Sequence, residues 1–337
     1  MVLALLVSIS IIAALLARLA PRWDSALAWL IGAVMAGCAG LYTGGFDREE
    51  YVLIVENTRQ LADEDLAIRL FAAKDPLFLF IIETAGALSD DTQLVFLIVA
   101  VLAAMTKVIA TSVIPGRRAL FMAVYAIFIA PGLEFAAIRA GLAMGLTMLG
   151  YLAIRRWPWR VWWVALGLAS HMSVIFVSAG RIWARHWRAT LVGLLVLATL
   201  FSPLLLALLQ DDARYSHYLD NRGTLFALGM PVVTLLCLLL LSRSLKGRTP
   251  ARHLLLTEDW LRTTYFMVGA SLLLAIPVVT ASTRVMELGW VLLLLQMIAR
   301  DGEVRAKAQA LRVASWCTLI ALLSLANLVR STWAILI

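Results

Sequence analysis

Four ionisable side chains stand in apolar surroundings where charge is costly, and each is of a type that could handle a sugar or a phosphate. Asp47, in the run GGFDREEY, follows Gly44-Gly45, a flexible turn able to hold a carboxylate over an opening between helices. Partly buried, it would act as a general base toward a sugar hydroxyl; in solvent it is a loop acid beside Glu49 and Glu50. Arg139, in EFAAIRAGLAMGLTMLG, falls one turn inside a predicted helix beginning near Glu134. A guanidinium there stays charged, so it must find an acid, a carbonyl or an anionic ligand. Its planar fork suits a diphosphate; a structural pair with Glu134 is the plainer alternative.

His171 is the third, alone in LASHMSVIF, either a satisfied structural donor or a group at the tip of a re-entrant hairpin. Arg284, in VVTASTRVMELGW, is placed at the outer membrane boundary, suited to a phosphate or a sugar, with Glu287 one turn on as the ordinary partner. The run QDDARYSHYLDNRGT adds Arg214, Tyr215 and Tyr218, polar and aromatic groups of the kind that line carbohydrate grooves. No His/Asp/Glu/Cys cluster has metal-site spacing and no phosphate-binding glycine loop is present, so neither a metal nor a cofactor is expected.

The elements that must position these groups are membrane helices. The 337 residues are 62% apolar and 15% charged, with a mean hydropathy of +0.90, far from soluble composition. Apolar runs long enough to cross about 30 Å of hydrocarbon recur from end to end, and only helix satisfies their peptide groups. The spans read as Val2 to Ala20, Ser25 to Tyr42, Gln93 to Ile114, Ala119 to Gly132, Phe135 to Ile154, Thr190 to Leu209, Leu225 to Leu241, Leu261 to Val279, Met286 to Ala299 and Val313 to Val329. That makes an all-α polytopic bundle of about ten transmembrane helices, a single transmembrane domain over residues 1–337. The first run lacks a basic segment before it and carries Arg18 and Arg22 after it, so it reads as a retained helix that starts outside.

Most of the 29 basic residues gather in short clusters, including Arg18/Arg22, Arg117/Arg118, Arg155/Arg156/Arg160 and Arg243/Lys246/Arg248/Arg252, which the charge rule assigns to the cytoplasm. The net charge of +8 is therefore that of membrane loops, and nucleic acid is not an expected partner. Cys38, Cys237 and Cys317 lie far apart inside apolar runs and form no disulfide or zinc pattern. Two external loops result, 43–91 and 210–224. Within the first, Glu49 to Phe71 reads as one amphipathic surface helix, and Pro76 to Leu88 as a re-entrant or surface helix too short to cross. Val161 to Gly180 has basic flanks on both sides, RRWPWR and RIWARHWR. It is expected to be a hairpin of two half-helices with its tip near Ser170-His171, about the bilayer midplane; the alternative is a true span. No internal repeat is evident.

The order of GGFDREEY, KDPLFLFI, IRAGLAMGL, LASHMSVIF and ASTRVMELGW over roughly residues 40 to 295 resembles the EpsG family of bacterial exopolysaccharide proteins, related to the Wzy-type polymerases. The resemblance implies polymerisation of undecaprenyl-diphosphate-linked oligosaccharide repeats at the outer face of the bacterial cytoplasmic membrane, by a metal-independent glycosyltransferase within a fold similar to polytopic lipid-linked sugar transferases. It implies membrane lipid, chain-length regulators and flippases as partners. Asp47, Arg139, His171 and Arg284 occupy its motif positions as catalytic candidates, and Asp75 the acidic position before Pro76-Leu77-Phe78. Tyr51, Asp75, Glu134, Arg214, Tyr215 and Tyr218 are the expected substrate-binding residues. Ala140 stands where the family often has a Gln after the Arg. In this scheme Asp47 or His171 is the base, and Arg139 and Arg284 are expected to converge on one diphosphate pocket. The competing readings are a membrane transferase adding one sugar or acyl unit, and a transporter or structural membrane partner.

Overall fold

Long apolar runs cannot leave their peptide groups to lipid, and in the computed structural model they close them into helices; among the described residues there is no strand. The structure describes residues 2–42, 44, 48–154, 156–184, 224–245, 258–274, 279–299, 313, 315–321 and 324. They form two compact units, one reaching to Val174 and one from Ile175 to Ala326.

The first unit contains α1 (Val2–Leu19), α2 (Asp24–Leu41), α3 (Arg48–Gln60), α4 (Leu66–Ala73), α5 (Pro76–Gly86), α6 (Thr92–Ala110), α7 (Arg118–Val124), α8 (Ile138–Met148) and α9 (Trp157–Ser170). The second contains a helix over 175–184 (α10), α11 (Thr224–Leu245), α12 (Glu258–Leu274) and α13 (Val279–Ala299), with a helical turn over 315–321. Three helices, Pro21–Leu41, Thr92–Val113 and Ser282–Ala299, are long and apolar enough to cross a bilayer as they stand, and shorter apolar helices accompany them. The expected span Thr190 to Leu209 and most of Val313 to Val329 lie outside the described residues. The other expected spans are helical where described, except that Phe135 to Ile154 is interrupted at Ala137, and α13 starts earlier than the expected Met286.

Polar capping sets the ends of the first unit. Asp24 is buried at the start of α2, where its carboxylate accepts from the backbone N–H groups of Arg118 (3.1 Å) and Ala119 (3.0 Å) and so caps α7 from far away in sequence. This fixes Arg18 and Arg22 at the same end as Arg117 and Arg118. The turn Thr111–Val113 packs on Leu149–Ala153, which brings Arg156 and Arg160 to that end as well. At the other end, Arg48 donates to the Gly40 carbonyl (2.9 Å) and to Gln93 Oε1 (2.9 Å), with its guanidinium 3.6 Å from the Phe96 ring centroid. The helices thus separate a basic end from an end that gathers the loop 43–91.

Glycines let α6, α8 and α9 approach closely, as small residues do where lipid supplies no hydrophobic drive between helices. A Cβ on Gly145 would run into the Thr106 hydroxyl of α6, and one on Gly167 into Thr147 of α8. Between α7 and α8 the ladder widens into π turns over Tyr125–Ile129 and Pro131–Ala136, and another, Leu149–Ala153, follows α8. Pro131 supplies no N–H and crowds the turn before it, which accounts for the irregularity there. The backbone then leaves helical geometry at Ala137 (φ −106°, ψ 57°), so α8 begins only at Ile138.

One expectation about a surface element needs correction. The stretch Glu49 to Phe71 is not one amphipathic helix but two, α3 and α4, separated where Asp63, Glu64 and Asp65 crowd like charges into one turn. Pro76 to Leu88 is a short helix, α5, which packs on α6 and α9.

Candidate functional site

The loop end of the first unit places a carboxylate, a guanidinium and two aromatic rings together. α4 stops at Lys74, whose φ of 66° is in the left-handed region that a side chain rarely adopts. That turn ends one helix and aims the next residue, Asp75, inward; Lys74 itself ion-pairs with Glu50 on α3 (2.5 Å) at the surface. Asp75 precedes Pro76, the first residue of α5, but does not cap it. Its Oδ2 instead meets Arg139 Nη1 at 2.5 Å, in a nearly buried pair.

Arg139 belongs to the first turn of α8. Its Nη1 also lies 3.5 Å from the Ala73 carbonyl, and the guanidinium sits beside the rings of Tyr51 (5.0 Å) and Phe78 (5.5 Å). Nε is buried with no acceptor among the described residues. Arg139 is therefore held by Asp75 and lies against Tyr51 while Nε lacks an acceptor among the described residues, an arrangement that a bound anion would complete. Burial pushes the Asp75 carboxyl up to about 6, against the opposing pull of Arg139 and Lys74.

The structure corrects the expected pairing of Arg139 with Glu134. Glu134 Oε1 is 2.7 Å from Lys107 Nζ of α6 and accepts from the Tyr125 hydroxyl at 2.5 Å, wholly inside the unit. As a candidate for substrate binding, Glu134 is thus already engaged by two side chains. Lys107 is a site residue that the sequence reading passed over, although an ammonium within AAMTKVIA is as costly as Arg139 and signalled itself in the same way.

α9 runs antiparallel to α8: Gly150 near the end of α8 faces Arg160 and Trp163 near the start of α9, while Ser170 Oγ donates to the Arg139 carbonyl at 3.2 Å. The helix breaks where expected, at His171, whose backbone is extended. The break is level with the first turn of α8. His171 Nδ1 accepts the Ser173 N–H at 3.1 Å, so a neutral ring carries its proton on Nε2.

Arg284 belongs to the second unit and lies within α13, where Nη1 donates to the buried Glu287 carboxylate at 3.1 Å, the partner anticipated from their spacing. Asp47, Arg214, Tyr215 and Tyr218 lie outside the described residues. Of the expected site residues, Tyr51, Asp75 and Arg139 come into direct contact, His171 follows a residue bonded to Arg139, and Glu134 is held apart by Lys107.

Apolar helices packed through glycine, with ionisable groups paired at depth and a guanidinium at one end, define a polytopic all-α membrane protein. The EpsG family model matches residues 26–333, and the chain belongs to that family, which is related to the Wzy-type polysaccharide polymerases. It is thus a membrane protein of polysaccharide biosynthesis. No curated protein and no solved structure matches it.

Proposed function

We propose that the protein is a polymerase that joins undecaprenyl-diphosphate-linked oligosaccharide repeats at the outer face of the cytoplasmic membrane. The observation that carries this reading is Arg139, held by Asp75 and against Tyr51 while the buried Nε lacks an acceptor among the described residues. In the reaction, an acceptor sugar hydroxyl loses its proton to Asp47 as its oxygen bonds to the anomeric carbon of the donor chain. The bond from that carbon to the lipid diphosphate breaks, and the electron pair leaves with the diphosphate. Arg139 stabilises the negative charge that grows there, which speeds the reaction because the interaction strengthens toward the transition state.

His171 is assigned the complementary role of Nε2–H donor to substrate oxygen, because its Nδ1 already accepts from Ser173. Tyr51, buried against the guanidinium, is assigned to hold Arg139 in place toward the substrate. Arg284 is the phosphate-binding candidate of the second unit, and Arg214, Tyr215 and Tyr218 remain the carbohydrate-binding candidates of the loop 210–224.

Purified protein in detergent or liposomes, given a lipid-diphosphate-linked repeat, is expected to yield a ladder of products that Arg139→Ala forms only at a small residual rate. A single added unit points to simple transfer, and absence of any product from folded wild-type protein refutes an enzymatic role.

A further inference from the structure

We propose that Lys107 is a positioning residue for Arg139, acting as a clamp across the break in the chain at Ala137. The inference rests on the reading that Arg139 binds the lipid diphosphate. Arg139 stands two residues beyond Ala137, where the backbone leaves helical dihedrals and the local ladder thins to the Ala137 N–H bond to the Gly132 carbonyl (3.2 Å) and the Gly141 N–H bond to the Ala137 carbonyl (3.0 Å). Lys107 reaches both sides of that point. Its ammonium is 2.7 Å from Glu134 Oε1, before the break, and 2.5 Å from the Gly141 carbonyl, after it. The third acceptor, the Ala103 carbonyl at 3.3 Å, ties the same nitrogen to α6. Three N–H groups thus meet three acceptors on three segments of chain.

The surroundings are built for this contact. Tyr125 donates to the same carboxylate oxygen that Lys107 holds, and Gly141 presses on the carboxylate so closely that a Cβ would come within 2.8 Å of both its oxygens. An ion pair needed only for neutrality would not require the additional bond to Gly141. Because that bond is to backbone of the turn that carries Arg139, displacing it rotates the guanidinium away from Asp75 and from the phosphate. Misplacement of about 1 Å costs roughly a hundredfold in rate.

The test separates positioning from charge balance. Lys107→Met with Glu134→Gln removes both charges together, leaving no ion stranded in the core. The expected result is a folded protein of near wild-type thermal stability whose kcat for ladder formation falls roughly ten- to hundredfold, with KM changed far less. In an Arg139→Ala background the same pair of changes is expected to lower the residual rate no further. A folded double variant with wild-type kcat overturns the proposal, as does an equal additional loss in the Arg139→Ala background. Should the double variant not fold, Gly141→Ala decides: it keeps every charge but forces Glu134 aside, and a wild-type kcat there is equally fatal. If Arg139→Ala alone polymerises normally, the assignment of Arg139 itself fails, a result distinct from failure of the clamp.

Discussion

Arg139 is held by Asp75, 64 residues earlier in the chain, and not by Glu134 just before it in sequence. Asp75 thereby ties the loop 43–91 to the first turn of α8, and a disturbance of either one reaches the guanidinium. The pair is also a competition: a diphosphate drawing on Arg139 must share it with a carboxylate already in place.

Replacing Asp75 with Asn removes that anchor but retains size and polarity. Arg139→Lys keeps the charge but loses the planar fork, and the two changes should differ. Asp75→Asn is expected to lower kcat about tenfold, whereas Arg139→Lys loses a hundredfold or more, because a point charge does not replace bidentate binding of phosphate oxygens. Initial rates of ladder formation check both.

Protonation of Asp75 gives a pH dependence with a definite sign. Burial raises its carboxyl from an ordinary value of 3.8 to about 6. Below about 6 the acid is neutral and the ion pair with Arg139 is lost, so polymerisation should fall as pH drops through that value. Stability runs the other way for this group. A raised pKa means that the folded state binds the proton more tightly, so the contribution is fullest below the ordinary value and is lost as pH rises through about 6. Both inflections should vanish in Asp75→Asn, measured by rate and by thermal denaturation from about pH 3 to 8, a range that brackets both the ordinary value and the raised one.

His171 can be tested by where its replacement puts an amide. Glutamine places one near Nε2 and preserves a donor there; asparagine places one near Nδ1 and preserves only the acceptor for the Ser173 N–H. His171→Gln is expected to keep most of the rate and His171→Asn to lose roughly tenfold or more. Equal loss in both variants would restore His171 as a candidate base.

In the second unit, Arg284→Ala removes a partner of the buried Glu287 carboxylate and should destabilise the protein by about 1–3 kcal/mol. Arg284→Gln with Glu287→Gln should recover that stability. If the double variant then makes full-length polymer, Arg284 is a structural partner of Glu287 and has no part in binding phosphate.

Much of the fold could be read locally. Hydropathy located the helices that the structure describes, and the basic flanks RRWPWR and RIWARHWR placed a break near Ser170-His171, where α9 ends. The division of Glu49 to Phe71 into two helices was missed because its apolar spacing continues through the acidic turn. The π turns after α7 depend on how Pro131 is accommodated by its neighbours, which no periodicity records.

The sequence by itself determined that this is an all-α membrane protein and that certain charges, Arg139 above all, require partners. Both follow from local quantities: the cost of exposing a peptide group to hydrocarbon, and the cost of burying an ion. Tertiary structure alone decided who those partners are. Lys107 takes Glu134, Asp75 takes Arg139, and Asp24 caps α7, because each pairing is set by which helices lie side by side. That order comes from glycine faces and loop closure acting together across the unit, and a reading of one segment at a time does not contain it.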